Sequence, residues 1–235
     1  MQITKPDFWD KKKPNLISKI LNFFSYLVIF FSKINQKKIK IQNIKTICVG
    51  NIYLGGTGKT PTSIAINDIL KNLGYRTVFV KKFYKNQKDE QRILEKKGIL
   101  VCKKNRLEAI RYARSKKFDF AICDDGLQDK NIDYDLKIVC FNFDTFLGNR
   151  LVIPAGPLRE KTESIKKYDV AIINGNGENI TNLKKYLLKF NKSLKIFRGN
   201  YILDQDINKL KNKRFIAFSG IGNHKTFIKT LKKNK

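Results

Sequence analysis

The sequence predicts an α/β protein with a mostly parallel sheet and helices on both of its faces. Short apolar runs rich in β-branched residues alternate with longer segments of helical periodicity, which is typical of such sheets. The first of these runs leads directly into a glycine-rich segment and then into a predicted helix. With 235 residues, of which 42% are hydrophobic, the chain is long enough for one such core and an appendage.

The predicted elements follow one another at short intervals. The predicted strands are Thr46–Gly50, Thr77–Val80, Ile99–Cys102, Phe118–Cys123, Leu136–Phe143, Val170–Asn174 and Phe215–Ser219. The predicted helices are Thr62–Leu73, Leu107–Lys116 and Ile180–Phe190, with a further helical pattern from about Lys225. The segment Thr145–Glu160 contains two glycines and two prolines in its middle and is predicted to be irregular.

An apolar segment near the N-terminus, Leu16–Phe31, is compatible with a helix. Polar residues interrupt it, and it falls short of the ~20 apolar residues that a membrane span needs. Lysines flank it on both sides, and no signal-peptide layout is present. These features favour a helix lying in the headgroup region of an anionic membrane, and the alternative is a helix packed on its own domain.

The chain is strongly basic, with 49 Lys and Arg against 20 Asp and Glu and a formal charge of +29. Such a charge favours anionic partners, although lysines scattered along a chain also arise from compositional drift. No zinc-finger spacing or RNA-binding motif is found, so nucleic acid is not a favoured partner. The four cysteines lie in apolar runs without a CxxC spacing, which favours a reducing compartment such as the cytoplasm and speaks against metal binding by them.

The glycine-rich segment after the first strand has the composition of a phosphate-binding loop. It consists of Tyr53, Leu54, Gly55, Gly56, Thr57, Gly58, Lys59 and Thr60, and Pro61 then opens a helix. Glycines let backbone N–H groups surround phosphate oxygens, Lys59 is expected to reach the β- and γ-phosphates, and Thr60 is expected to bind Mg²⁺. Tyr53 stands where the usual pattern has glycine. The sequence therefore predicts a P-loop NTPase-type core that binds a nucleoside triphosphate with Mg²⁺.

Two further segments carry candidate site residues. The strand Phe118–Cys123 is followed by Asp124 and Asp125, at the position where a Mg²⁺-binding carboxylate belongs beside a phosphate-binding loop. The alternative for this pair is a strand-capping turn. In the irregular segment, Arg159 could stabilise charge on a transferring phosphoryl group, and the alternative is an ordinary surface loop.

Together these motifs resemble one family. GNIYLGGTGKTP, DDGLQ and GNRLVIPAGPLRE, in that order, closely resemble the tetraacyldisaccharide 4′-kinases of lipid A synthesis. Pro6-Asp7-Phe8-Trp9 and the later Phe218-Ser219-Gly220-Ile221-Gly222-Asn223 are also similar to that family. The resemblance implies Mg²⁺-dependent transfer of the ATP γ-phosphate to the 4′-hydroxyl of a tetraacylated glucosamine disaccharide 1-phosphate, at the cytoplasmic face of the bacterial inner membrane. It also implies a P-loop core and a smaller C-terminal lobe, with the lipid in the cleft between them.

The resemblance assigns roles residue by residue. It implies that Asp124 and Asp125 are metal-site carboxylates and that Asp89, in the pair Asp89-Glu90, is the base for the sugar hydroxyl. Without the resemblance, Asp89 would be an ordinary acid at the start of a helix. The remaining residues that it places at the active site are Lys59, Thr60, Arg106, Gln128 and Arg159.

The chain departs from the family pattern in three places. The stretch from Val80 to Tyr84 replaces an S-R-G-Y-like segment, and Asp129 replaces a histidine. The chain also ends before a histidine-bearing motif of the family, and His224 is interpreted as a first-turn residue rather than a substitute for it. We therefore expect an N-terminal helix region (1–40), a kinase core (41–174) and a truncated C-terminal lobe (175–235), with ATP–Mg²⁺ binding but weak phosphorylation of the lipid.

Two other functions remain open at this stage. One is a catalytically impaired, nucleotide-binding protein at the membrane surface. The other is a different P-loop enzyme, such as a cofactor-synthesis ligase or a GTPase, although no N/T-K-x-D motif supports a GTPase.

Overall fold

The computed structural model describes residues 5–32, 38–84, 88–175 and 179–201, and the single residues 177, 216 and 228. Most of the strand predicted at Phe215–Ser219, most of the helix predicted after it, and His224 lie outside the described residues.

The core of the protein is one sheet of seven parallel strands. The strands are β1 (Lys45–Gly50), β2 (Thr77–Lys82), β3 (Leu100–Lys103), β4 (Phe120–Asp124), β5 (Leu136–Asn142), β6 (Val170–Asn174) and β7 (Lys195–Gly199). Their order across the sheet is β3-β2-β4-β1-β5-β6-β7. The predicted parallel sheet is confirmed.

Helices cover both faces of this sheet, as predicted. They are α1 (Leu16–Ser32), α2 (Lys59–Asn72), α3 (Lys88–Lys97), α4 (Arg106–Ser115) and α5 (Thr181–Leu188). Apolar side chains of α2 and α3 pack on one face, where Leu94 lies in the same cluster as Ile122 of β4. Those of α4 and α5 pack on the opposite face, where Ile110 and Leu187 are fully buried. The strands contribute apolar side chains to the clusters on both faces, because successive side chains along a strand point to opposite faces of the sheet.

Strand β7 was not predicted, helix α3 was considered only as a possible helix start at Asp89, and the predicted start of α2 was three residues too late. Helix α3 contains only two large apolar residues, and β7 is an edge strand that leaves Phe197 exposed, so both lack a strong hydrophobic pattern. Helix α2 begins at Lys59, three residues before the predicted Thr62, and the left-handed Gly58 (φ 82°) precedes it. Beyond residue 174, β7 adds an edge strand to the same sheet, and α5 packs on one face of it. The division of the chain into three regions stays a prediction.

The strand order places one opening at the centre of the sheet. After β1 the chain moves to β2 and β3 on one side, and the later strands β5, β6 and β7 lie on the other side. The connections on either side of β1 therefore diverge at its carboxyl end, which is where open α/β sheets bind ligands.

Helix α1 packs with its small polar side chains inward. Ser25 is 0% exposed, and its hydroxyl donates to the Val152 carbonyl (2.7 Å) and accepts from the Ala155 N–H (3.4 Å). Ser18 is equally buried and accepts from the Asn149 amide (3.3 Å). The exposed side of the helix carries large apolar side chains, namely Leu16, Ile17, Ile20, Phe23, Phe24, Tyr26, Leu27 and Phe30. Among the described residues, no helix combines the length and apolarity needed to cross a bilayer.

Candidate active site

The loop between β1 and α2 is organised from inside by Asn51. The side-chain amide of this buried residue donates to the carbonyls of Tyr53 (2.6 Å) and Gly55 (3.2 Å) and to the Thr57 hydroxyl (2.9 Å). Gly55 has a φ of 143°, a backbone conformation that residues other than glycine rarely adopt. The amide of Asn51 therefore fixes the backbone of the loop before any ligand is bound.

A second asparagine holds the end of the loop. Asn174, the last residue of β6, donates to the Thr57 carbonyl (2.8 Å) and to the Thr62 hydroxyl (3.4 Å). A Cβ atom at Gly58 would lie 2.6 Å from the Asn174 amide nitrogen, so this close approach requires glycine. The loop is thus built into the carboxyl edge of the sheet rather than projecting from it.

Tyr53 and Leu54, the first two residues of the predicted loop, bind other parts of the protein. The Tyr53 ring is buried in the same cluster as Leu158, and its hydroxyl donates to the Asp10 carboxylate. The Leu54 N–H donates to the Pro157 carbonyl (2.7 Å). The tyrosine that replaces the usual glycine therefore ties the loop to the N-terminal segment, and the part of the loop left to face a phosphate begins at Gly55.

Three charged side chains meet beside this loop. The Lys59 ammonium lies 3.8 Å from Oδ1 of Asp125, and the Arg159 guanidinium lies 2.8 Å from the same oxygen. The Arg159 backbone N–H donates to the Ile52 carbonyl (2.7 Å), which fixes this arginine against the start of the loop. Burial raises the pKa of Asp125, but Lys59 and Arg159 lower it more, and the net pKa lies below its usual value. Asp125 is consequently a carboxylate at neutral pH.

Gln128 joins the three motifs to one another. Its amide nitrogen donates to the Asn51 carbonyl (2.9 Å) and to the Glu160 carboxylate (2.8 Å), and its amide oxygen accepts from Arg159 (3.2 Å). The phosphate-binding loop, the turn after β4 and the irregular segment are therefore in direct contact.

Arg106, the first residue of α4, holds the backbone of the two aspartates. Its guanidinium is buried and donates to the carbonyls of Asp124 (3.2 Å) and Asp125 (2.5 Å). It also lies 3.6 Å from the carboxylate of Asp129, the residue that replaces the family's histidine. Arg106 therefore fixes the backbone of the turn after β4, because its hydrogen bonds go to the carbonyls of the two aspartates and not to their carboxylates.

The two aspartates point in different directions. Asp125 has a left-handed φ of 54°, and its carboxylate faces Lys59 and Arg159. Asp124 is 0% exposed, and its carboxylate accepts from the ammonium of Lys81 (3.0 Å) and the hydroxyl of Ser63 (3.3 Å). The sequence predicted that both are metal-site carboxylates, and that role stays a prediction. The structure places the carboxylate of Asp124 against the ammonium of Lys81.

Lys81 was missed by the sequence-based prediction. It lies near the carboxyl end of β2, with its side chain 1% exposed, and it also binds the carboxylate of Glu90. Burial lowers the pKa of this amine, but Asp124 and Glu90 raise it more, so its pKa lies above the usual value and it is charged. The sequence shows only a lysine at the end of an apolar strand. In a chain with 49 basic residues, such a lysine does not stand out as a site residue.

Asp89 and Glu90 lie in the first turn of α3 and differ in their contacts. Glu90 binds Lys81, whereas Asp89 is exposed to solvent. The role of Asp89 as a base stays a prediction. Residues 85–87, which precede this turn, lie outside the described part of the chain.

The geometry fits the requirements of Mg²⁺ bound together with a nucleotide. Within the described ranges, no group of three or more His, Cys, Asp or Glu side chains is arranged to hold a metal ion. Magnesium needs no such group, because one or two carboxylates and the phosphates of a nucleotide usually complete its ligands. Asp125 supplies a charged carboxylate, and Thr60 lies half-buried in the first turn of α2.

Comparisons with known proteins agree on one family. The family model of LpxK, tetraacyldisaccharide-1-P 4′-kinase, matches residues 17–98 and 89–235. A tetraacyldisaccharide 4′-kinase of Pelagibacter ubique is 47% identical over all of this chain and 75% of its own length. One from Rickettsia bellii is 32% identical over 99% of this chain and 76% of its own length.

A solved structure shares the fold. The crystal structure of LpxK from Aquifex aeolicus in complex with ATP superposes with a TM-score of 0.52 at 19% identity, covering 88% of this chain and 83% of that one. With a relative that is 47% identical over all of this chain and 75% of its own length, and a family model that matches most of the chain's residues, this chain belongs to the tetraacyldisaccharide 4′-kinase family.

Proposed function

We propose that the chain transfers the γ-phosphate of ATP to the 4′-hydroxyl of a tetraacylated glucosamine disaccharide 1-phosphate. The observation that carries this proposal is the meeting of Lys59, Asp125 and Arg159 beside a glycine loop at the carboxyl end of β1. Phosphoryl transfer depends mainly on positioning and on neutralising charge, and this cluster supplies both.

The nucleotide lies along the loop from Gly55 to Thr60 in this proposal. Backbone N–H groups and the N-terminus of α2 face the phosphates, and Lys59 contacts the β- and γ-phosphates. The 3.8 Å separation between Lys59 and Asp125 is longer than a hydrogen bond, so the lysine can turn to a phosphate without breaking one.

Mg²⁺ is held by Asp125 and Thr60 in the proposed complex. The cation supplies charge neutralisation for the phosphates. Arg159 is already bound to Asp125 and lies at the same opening, where it can stabilise charge on the transferring group. Arg106 and Gln128 keep the turn after β4 and the irregular segment in place around them.

The acceptor hydroxyl needs a group that takes its proton. Asp89 is the proposed base, because it is a solvent-accessible carboxylate in the first turn of α3, and its neighbour Glu90 connects that turn to the metal-site strand through Lys81. In this arrangement the nucleotide is bound by the loop and the acceptor is activated from α3.

Helix α1 is proposed to lie in the cytoplasmic surface of the inner membrane. Two observations support this: its large apolar side chains face outward, with Phe23 72% and Phe30 69% exposed, and lysines surround it. One of these lysines, Lys161, lies 5.6 Å from the centre of the Tyr26 ring. An exposed apolar face with basic neighbours binds anionic lipid surfaces.

Replacing Lys59 by alanine should lower kcat/KM with the disaccharide lipid by ~10³-fold, because it removes a charge that acts on the transferring phosphoryl group. The control is Lys71→Ala, which removes an exposed lysine from the same helix and should change kcat/KM less than about twofold. The measurement is transfer of labelled phosphate to the lipid. A Lys59→Ala variant as active as the control would show that this loop does not hold the reacting phosphates.

Replacing Asp89 by asparagine should lower kcat by ~10²-fold or more and leave ATP affinity nearly unchanged, because a base acts on the acceptor and not on the nucleotide. Glu95→Gln, an exposed acid on the same helix, is the matched control and should behave as the parent does. Steady-state kinetics and nucleotide titration together separate the two effects. Weakened ATP affinity with normal kcat would assign Asp89 to nucleotide binding instead.

Replacing both Phe23 and Phe30 by glutamate should release the protein from vesicles of phosphatidylglycerol and phosphatidylethanolamine. Each buried phenylalanine contributes about 2 kcal/mol to the transfer from water, so the expected loss of affinity exceeds tenfold. The control replaces two other exposed apolar residues by glutamate, Ile69 in α2 and Leu73 directly after the end of that helix. Equal vesicle flotation of both variants would contradict the proposed orientation, and retained ATP binding by both verifies that the core is folded.

A further inference from the structure

Lys81 is a buried charge that has no direct contact with ATP or the acceptor in the proposed reaction. Its ammonium bridges two carboxylates from different elements, with Asp124 of β4 at 3.0 Å and Glu90 of α3 in direct contact. A charge taken so completely out of water is retained only where its partners are well placed. This bridge is therefore a specific feature of the site rather than one of the many exposed lysines of this chain.

The two carboxylates connect two functional parts of the site. Asp124 precedes Asp125, whose carboxylate is bound by Lys59 and Arg159. Glu90 follows Asp89, the proposed base. A single ammonium thus links the end of the sheet that binds the nucleotide to the helix turn that activates the acceptor.

Among the described residues, which leave out 85–87, helix α3 has few other attachments near that turn. Of its ten residues, only Gln91 and Leu94 are buried. The Gln91 amide donates to the Tyr84 carbonyl at 3.4 Å, near the limit of a hydrogen bond. Leu94 lies one turn further along. The contact between Glu90 and Lys81 is consequently the charged anchor of the N-terminal end of α3.

We propose that Lys81 is a positioning residue for phosphoryl transfer, which fixes the first turn of α3, and with it Asp89, relative to the metal-site turn after β4. The proposal rests on the kinase reaction proposed above. Lys81 touches neither ATP nor lipid in this arrangement and acts through Glu90 and Asp124. Because a displacement of about 1 Å can cost ~10²-fold in rate, one anchoring contact is enough to matter.

The first test compares Lys81→Met with Lys82→Met. Lys82 is the next residue, and its ammonium lies over the Tyr84 ring at 5.5 Å. Lys81→Met should lower kcat by about tenfold or more while KM for ATP stays within about threefold, and Lys82→Met should change kcat less than about twofold. Equal kcat values in the two variants would overturn the proposal. A raised KM for ATP with unchanged kcat would also overturn it, since Lys81 would then serve the nucleotide.

The second test uses Glu90→Gln, which keeps the buried pair of Lys81 and Asp124 and so protects the fold. If Glu90 acts through Lys81, the effects on kcat are not additive, and the double variant should match Lys81→Met within about twofold. A double variant whose loss equals the product of the two single losses would refute the bridge.

The third test does not depend on the lipid. Amide hydrogen exchange at residues 88–97 should be faster in Lys81→Met and Glu90→Gln than in the parent and in Lys82→Met. Unchanged exchange there would overturn the proposal even if the reaction proceeds. A parent protein that never phosphorylates the lipid would refute the proposed function instead, and the exchange result would still report on the anchor.

Discussion

Two adjacent carboxylates at the end of a central strand repel each other, and the site is built around the separate neutralisation of each. The left-handed backbone at Asp125 turns the two side chains apart, and Arg106 holds both of their carbonyls. Asp125 then faces Lys59 and Arg159, while Asp124 faces Lys81 and Ser63. The outward carboxylate is available to a cation and a triphosphate, and the inward one connects the sheet to α3.

Within the irregular segment (Thr145–Glu160), the residues from Asn149 to Arg159 connect the candidate site to helix α1. The first part of this stretch contacts the inward serines of α1, through Asn149, Val152 and Ala155. Its last residue, Arg159, reaches Asp125. One segment of chain therefore contacts both α1, with its exposed apolar face, and the charged cluster of the candidate site.

The sequence predicted most of what local pattern determines. The strand–helix alternation, the loop before α2 and the acidic turn after β4 are encoded by short local patterns of residue types, and the family followed from the order of the motifs. The orientation of α1 was harder, because its serines and its phenylalanines both recur at helical spacing, and only tertiary packing decides which side is buried. Its burial through serines supports the alternative of a helix packed on its own domain, while its contact with a membrane stays a prediction.

The supporting contacts of the site could not be predicted in this way. Asn174 and Lys81 act through neighbours that are distant in sequence, and a single lysine among 49 basic residues carries no local signal. The bonds of Asn51 are local, to residues two to six positions further along, but no motif marks this role. Likewise, β7 lacks a distinctive pattern because an edge strand needs to bury only part of its side chains. The sequence pattern thus identified the residues that are expected to contact ligands. The residues that position these side chains depend on the tertiary structure, which the pattern does not show.

The central claim is that this site transfers phosphate from ATP to a lipid-linked sugar hydroxyl. The most direct measurement is incubation of the purified chain with γ-labelled ATP, Mg²⁺ and the tetraacylated disaccharide 1-phosphate in mixed micelles, followed by location of the label in the product. The account predicts label on the 4′-oxygen of the lipid, formed only when Mg²⁺ is present. Label released solely as inorganic phosphate, or label at another oxygen of the sugar, would contradict it.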